Sequence, residues 1–338
     1  MSGLANQLES YPWHRALWTS LTRDRTGLVH ALLLNGQLGL GKSTFATQLS
    51  TMLLCENPNQ HSHACGSCKS CRLVSAGTHP DLKRVEPVEE GRVITVDQTR
   101  ALVEFMTMRP HIAQRKVVIL TPAESMNINA ANSLLKILEE PPLGNIFILV
   151  SHQPAKLPAT IRSRCSQIEF KLPPRHDGID WLQTQKVSVA DAAVLLGLAG
   201  GAPLRALEMD QTGVIGQREQ LLVDLEALRA GTADVVACAA RWQKIGAEFS
   251  LAWLQRLVAD MVKIDMIPQP ESFLANHDLA CRLQVLGEGL DLKQLYGFAD
   301  AVSQARDLLA SPVDNLLLLE DILIRWFRVP RKITLPTE

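Results

Sequence analysis

Eight consecutive residues, Gly36-Gln37-Leu38-Gly39-Leu40-Gly41-Lys42-Ser43, fill the pattern G-x-x-x-x-G-K-[ST] completely. Each type has a physical task. Glycines let backbone N–H groups curl around phosphate oxygens. A helix opening near Lys42 turns its positive end toward the same anion. Lys42 can then reach the β- and γ-phosphates, and the Ser43 hydroxyl can ligate Mg²⁺. The apolar stretch Leu28 to Asn35 ahead of the loop and the helical pattern Ser43 to Leu54 behind it supply the strand–loop–helix context that gives the motif weight.

Hydrolysis demands more than a cradle. It needs an aspartate at the end of a neighbouring strand to hold Mg²⁺, usually with a glutamate beside it to polarise water. The natural strand is Val117 to Leu120, and it is followed by Thr121-Pro122. Threonine carries no charge, proline offers no side-chain oxygen, and Glu124 lies beyond the expected acid pair. The expectation is ATP or ADP bound with Mg²⁺ and left intact.

Cys55, Cys65, Cys68 and Cys71 have the spacing C-x9-C-x2-C-x2-C. Four thiolates within one short segment read as a tetrahedral Zn²⁺ site. Asn57-Pro58 and Gly66-Ser67 supply turns that wrap ligands around one ion, and His61 and His63 are spare donors. Four protein ligands leave no open position, so the site is expected to be structural. Cys165, Cys238 and Cys281 stand apart and read as core residues.

The elements that must position these groups alternate in the first half. The short apolar runs Leu28 to Asn35, Val117 to Leu120 and Ile146 to Val150 suit strands buried on both faces of a parallel sheet. Helical patterns lie between them, as at Ser43 to Leu54 and Asn127 to Leu138, so βαβ units and an α/β fold are expected. The texture changes after about Phe170, where Pro173-Pro174 breaks the chain. A helical stretch from Val187 to Leu198 ends at Gly200-Gly201. From about Gln211 the chain reads as amphipathic helix, including Gln217 to Leu228, Leu251 to Val262, Leu292 to Leu309 and Asp314 to Phe327, the last with Ser311-Pro312 as its N-cap and first turn.

Composition sets outer bounds. With 338 residues and 46% hydrophobic content, two or three globular domains are expected. The net charge of −1 splits into +4 for residues 1–170 and, by difference, −5 for 171–338, which excludes a polybasic nucleic-acid coater. No apolar run reaches the roughly 18 residues of a bilayer span. The stretch from Met1 to Tyr11 has no basic region followed by an apolar one, and 7 cysteines is an odd count, so a cytoplasmic chain without a disulfide framework is expected.

Taken in order, the phosphate loop, the cysteine cluster, the run Asn132-Ser133-Leu134-Leu135-Lys136-Ile137-Leu138-Glu139-Glu140-Pro141-Pro142 and the triplet Ser163-Arg164-Cys165 resemble the bacterial sliding-clamp loaders of the AAA+ superfamily. The resemblance extends through Gly201-Ala202-Pro203-Leu204-Arg205 and Leu317 to Trp326. It implies an AAA+ nucleotide-binding domain over 1–170 with a zinc knuckle at 55–71, a small helical lid over 171–209, and an all-α collar over 210–338 that oligomerises. Among the subunits of such loaders, the gamma and tau motors carry Asp-Glu where this chain has Thr121-Pro122, and the delta subunit lacks the knuckle and the Ser-Arg-Cys triplet. What the resemblance implies is a stator whose own catalytic centre has decayed. The phosphate loop is degraded in some such subunits and intact here. Its partners would be gamma or tau and delta, and through the complex the beta clamp and primed DNA, with no membrane. The chain would belong to a DNA polymerase holoenzyme, a nucleotidyltransferase, without being an active ATPase or polymerase itself. Arg164 matches a finger that enters the ATP site of a neighbouring subunit in trans, whereas Arg162 reads as an ordinary surface ion pair. Ser151 matches a γ-phosphate sensor, and Arg205 a lid residue that touches the nucleotide bound with Gly36, Gly39, Gly41, Lys42 and Ser43. A gamma- or tau-like motor is the alternative, and a small-molecule kinase a more distant one.

Overall fold

The structure, a computed structural model, describes residues 11–23, 28–89, 92–267, 274–309 and 311–329. Most of the N-terminal stretch read as free of an export signal therefore lies outside the described residues. The chain divides into two compact units, one comprising Met1–Trp181 with Ala202–Arg205 and the other Leu182–Gly201 with Ala206–Glu338.

The first unit alternates strand and helix: α1 (Arg15–Thr22), β1 (Ala31–Asn35), α2 (Lys42–Leu54), α3 (Lys69–Ser75), β2 (Leu82–Val85), α4 (Val96–Thr107), β3 (Val117–Leu120), α5 (Ile128–Glu139), β4 (Ile146–Ser151), α6 (Ala159–Arg162) and β5 (Ser166–Glu169). The five strands form one parallel sheet in the order β2-β3-β4-β1-β5. Successive side chains of a strand point to opposite faces, and here both faces are covered. Leu32, Leu34, Ile119, Ile148 and Val150 pack with Phe45 and Leu49 of α2 on one side. Ala31, Leu33, Val118, Leu120, Phe147 and Leu149 pack with Leu102 of α4 and Leu134 of α5 on the other. This is why β1, β3 and β4 read as unbroken apolar runs. The first strand begins three residues later than its apolar run, at Ala31.

Side-chain caps fix the helix starts around the sheet. Thr95 and Gln98 form a reciprocal capping box at α4, and Asn127 accepts the Ala130 N–H at 2.8 Å to start α5. The register sets Asn35 beside Ser151 and Leu120 beside Leu149. The C-terminal ends of β3, β4 and β1 are therefore neighbours on one edge of the sheet, the edge where ligands of open parallel sheets bind.

α7 (Arg175–Thr184) leads out of the first unit. The second unit is helical: α8 (Val189–Leu198), the later part of α9 (Pro203–Gln211), α10 (Val214–Ala230), α11 (Val235–Ile245), α12 (Ala247–Met266), α13 (Ala280–Gly287), α14 (Leu292–Leu308) and α15 (Asn315–Arg328). Its core gathers Leu221, Leu225, Trp242, Leu254, Leu257, Phe298, Leu319, Ile322 and Trp326. Buried charges inside it are bonded. Asp224 accepts from Arg241 and from the Trp242 indole, and Asp260 accepts the N–H groups of Ala275 and Asn276. The start of α15 corrects the sequence reading. Asp314 is the cap and accepts the Leu316 N–H at 2.8 Å, while the Ser311 hydroxyl donates back to Leu308. The buried face of α15 is Leu318, Leu319, Ile322, Leu323 and Trp326, whereas Leu317, Ile324 and Phe327 stay exposed. Among the described residues no single helix is long and apolar enough to cross a membrane.

Candidate functional site

The phosphate loop occupies the turn from β1 into α2. Gly36 has φ +144°, and a Cβ there would come within 2.5 Å of the Phe170 carbonyl oxygen. Gly39 has φ +85°, and a Cβ there would lie 2.8 Å from the Arg205 backbone nitrogen. Both positions require glycine for space as well as for conformation. The Leu204 N–H donates to the Gly39 carbonyl at 3.1 Å, so the first turn of α9 packs on the loop and brings Arg205 to it. Gly41 caps α2 in a left-handed conformation, and Ser43 stands exposed in the first helical turn.

Lys42 is buried, and its Nζ donates to the carbonyls of Gly36 and Gln37 at 2.5 and 2.6 Å. Burial pulls its ammonium down to about 8, against the opposing charge of Glu124. Glu124 sits in the short turn after β3 and reaches across the end of β4, where its Oε1 accepts the N–H groups of His152 and Gln153 at 2.8 and 3.1 Å. Among the described residues, three polar atoms along this edge are sealed from solvent without a hydrogen-bond partner: Glu124 Oε2, Ser151 Oγ and His152 Nδ1. Burial also depresses the His152 imidazole, and the charge of Lys42 pushes it the same way. Thr121 and Pro122 stand at the end of β3, as the sequence placed them.

The loop is braced from a direction the motif does not reveal. The Trp13 indole donates to the Leu40 carbonyl at 3.2 Å, and His14 Nε2 lies 2.7 Å from the same oxygen. His14 stands edge-on to Phe45 and Phe170. Its burial lowers the imidazole to about 4, although the Leu40 bond works against that shift.

The four cysteines converge. Their sulfurs all lie within 4.8 Å of one another, with Cys55–Cys68 and Cys65–Cys71 at 3.9 Å. Tetrahedral thiolates about 2.3 Å from a zinc ion would be about 3.8 Å apart. The backbone N–H groups of Cys65, Cys68 and Cys71 point at the sulfurs of Cys55, Cys65 and Cys68, a donor pattern that favours thiolate. The set fits a metal ion. His61 and His63 lie outside it, and His63 stacks on Trp18 instead. Of the isolated cysteines, Cys165 and Cys238 are buried as expected, but Cys281 is exposed.

Arg164 is held within its own unit. Its guanidinium forms a forked pair with Glu139, with Nε at 2.7 Å from Oε1, and donates to the Thr160 carbonyl at 3.0 Å. Glu139 lies within the Asn132 to Pro142 run, at the end of α5, so two motifs separated in sequence meet here. Arg162 reverses the sequence reading: among the described residues no ion pair involves it, and its Nε is sealed without a partner.

These features define a class, the phosphate-loop α/β proteins, here extended by a helical unit and carrying a four-cysteine cluster. The family described as "DNA polymerase III, delta subunit" matches residues 13–174, and "DNA polymerase III, delta subunit, C terminal" matches residues 213–328. DNA polymerase III subunit delta' of Pseudomonas aeruginosa is 36% identical over 324 residues, 95% of this chain and 98% of that one. Its namesake in Escherichia coli is 32% identical over 331 residues, covering 93% and 94%. Among solved structures, a DNA polymerase III gamma subunit-related protein of Thermotoga maritima overlays with a TM-score of 0.47 at 18% identity, covering 92% of this chain and 99% of that one. The chain belongs to the DNA polymerase III subunit delta' family.

Proposed function

We propose that this chain is the stator of a bacterial clamp loader, a cytoplasmic subunit that joins gamma or tau and delta to open the beta clamp and set it on primed DNA during replication. The observation that carries the reading is the end of β3 in a chain matched along nearly its whole length by delta' relatives. A complete phosphate loop follows β1, while Thr121 and Pro122 stand at the end of β3 where a motor needs two acids. In this reading residues 1–170 are an AAA+ domain, 171–209 a lid and 210–338 an oligomerising collar.

The cradle binds ATP or ADP with Mg²⁺ and does not turn it over. Gly36, Gly39 and Gly41 shape the loop, Lys42 leaves its carbonyl partners for the terminal phosphates, Ser43 contributes a metal ligand, and Arg205 closes from α9. The orphaned Ser151 Oγ beside the loop suits a phosphate contact. Bound nucleotide adds roughly RT ln(1 + [L]/Kd) to stability. Cys55, Cys65, Cys68 and Cys71 hold a structural Zn²⁺. The exposed Leu317, Ile324 and Phe327 of α15 give the collar an apolar stripe for neighbouring subunits.

Arg164 serves the neighbour. A guanidinium supplied in trans stabilises charge on a transferring phosphoryl group, worth about 10³–10⁵ in rate where such fingers act. The Glu139 pair holds its planar fork in one orientation until it is exchanged for phosphate oxygens. The test is reconstitution with gamma or tau and delta. Arg164→Ala should leave assembly intact, lower DNA-dependent ATP hydrolysis in part, and lower clamp loading more, because loading needs every motor site. Unchanged loading kinetics would remove the finger role.

A further inference from the structure

One acid that follows β3 is carried back to the sheet edge by its contacts with the end of β4. Glu124 follows β3 too late to occupy the position of either residue at 121 or 122. Its side chain nevertheless crosses the end of β4, the strand hydrogen-bonded to both β3 and β1, and β1 runs directly into the phosphate loop. One oxygen, Oε1, is tethered by the two backbone N–H groups of His152 and Gln153. That tether fixes the carboxylate at the sheet edge and leaves Oε2 sealed from solvent with no partner. A buried carboxylate oxygen without a donor is costly, and it points to a cation or a metal-bound water. Ser151 Oγ and His152 Nδ1, at and just past the end of β4, are equally sealed and equally without a partner among the described residues. Proximity to the loop follows from the register, since Ser151, the residue before His152, pairs with Asn35, the residue before Gly36.

We propose that Glu124 is the metal-anchoring residue of this phosphate site, holding nucleotide-bound Mg²⁺ through Oε2 from beyond β3. The inference rests on the reading that the loop binds nucleotide. The tether also explains why anchoring comes without turnover. Both backbone donors draw Oε1 toward β4, and neither Thr121 nor Pro122 supplies a second carboxylate to polarise water. One acid suffices to hold a metal and not to drive hydrolysis.

The competing role for Glu124 is a counter-ion for Lys42, and the two roles differ in sign. A counter-ion repels the triphosphate whether or not metal is present, so removing its charge tightens binding in both conditions. A metal anchor favours the complex only when Mg²⁺ is there. The experiment measures ATP affinity of the full chain by calorimetry, with Mg²⁺ and with EDTA, for wild type, Glu124→Gln and Glu124→Asp. Glutamine keeps an acceptor for the His152 and Gln153 N–H groups, and aspartate keeps the charge while shortening its reach. The expected result is wild-type ATP binding at least tenfold tighter with Mg²⁺, a gain lost in Glu124→Gln by about 10- to 100-fold, the scale seen when outer-sphere carboxylates are removed. Affinity in EDTA should be unchanged or higher in Glu124→Gln. Bound Mn²⁺, read by electron paramagnetic resonance in the presence of ADP, should fall in parallel. Glu124→Asp should lose the Mg²⁺ gain although it retains the charge, which settles the matter if the glutamine variant does not fold. Equal affinity changes with and without Mg²⁺, or a wild type indifferent to Mg²⁺, would overturn the proposal. A wild type that binds no ATP in either condition would overturn the nucleotide reading itself, and this proposal with it.

Discussion

The cysteine cluster is assembled within the segment from Cys55 to Cys71, from donors one turn or one loop apart. The phosphate cradle draws on Trp13 and His14 near the start of the described chain, Gly36 to Ser43, Glu124 after β3, Phe170 after β5 and Arg205 in α9. One site is a local cluster of donors able to hold an ion, and the other is a crossing point of distant segments. Damage should differ accordingly. Loss of the ion should loosen the cluster's own segment, whereas a change at any of five places should reach the cradle.

The largest expected effect breaks the local site. Stripping metal with a chelator, or the pair Cys65→Ser and Cys68→Ser, should remove one zinc per chain. Structural zinc sites in small peptides contribute about 10–16 kcal/mol of apparent binding energy. Hydrogen exchange should speed up over residues 55–75 and leave β1, β3 and β4 protected. Exchange spreading evenly across the sheet would show that the cluster is not a local unit.

Next comes Gly39→Val. The new side chain meets the Arg205 backbone and must adopt a left-handed φ, so a loss of about 2–4 kcal/mol is expected by chemical denaturation. A stability within 0.5 kcal/mol of wild type, as surface changes usually give, would mean that α9 does not brace the loop.

A smaller effect comes from acid. His14 titrates at about 4 in the fold against an ordinary 6.5. The unfolded chain therefore binds the extra proton between these values, and stability falls as pH drops from 6.5 toward 4. The total is at most about 3 kcal/mol. His14→Phe should flatten that part of the pH profile, and an unchanged slope would remove the assignment.

The smallest stability change belongs to the other unit. Leu317→Asp with Phe327→Asp lies on the exposed side of α15 and should shift unfolding by less than about 0.5 kcal/mol. Co-elution with gamma and delta subunits should nonetheless weaken, and full retention would move the collar surface elsewhere.

What the sequence disclosed follows the same division. The cysteine spacing and the phosphate loop are contiguous patterns, and both could be read directly. Strands β1, β3 and β4 carry unbroken apolar runs because both faces are buried. The outer strands β2 and β5 are half exposed, with burial alternating along β5, and their Lys-Arg and Ser-Gln content hid them. Glu124 lies past the expected acid pair in the sequence, and its reach across β4 is a property of the sheet order. His14 and Trp13 carry no motif, and their bonds to Leu40 exist only after the chain has closed. Arg162 and Arg164 differ by two positions, and the ion pair expected at Arg162 forms at Arg164 instead, because Arg164 meets Glu139 at the end of α5.

The contact between Gly39 and Arg205 also sets a schedule for the growing polypeptide. The two residues are 166 positions apart. At ribosomal speeds of about 5–20 residues per second, roughly ten to thirty seconds separate their emergence. The glycine turn, its lysine and the first strand are all made before the backbone that braces them. By the end of that interval the nascent domain has all five strands of the described sheet in hand and a cradle still without its brace. Completion of the cradle is therefore a late event in biogenesis, reached only once the chain has been translated into α9.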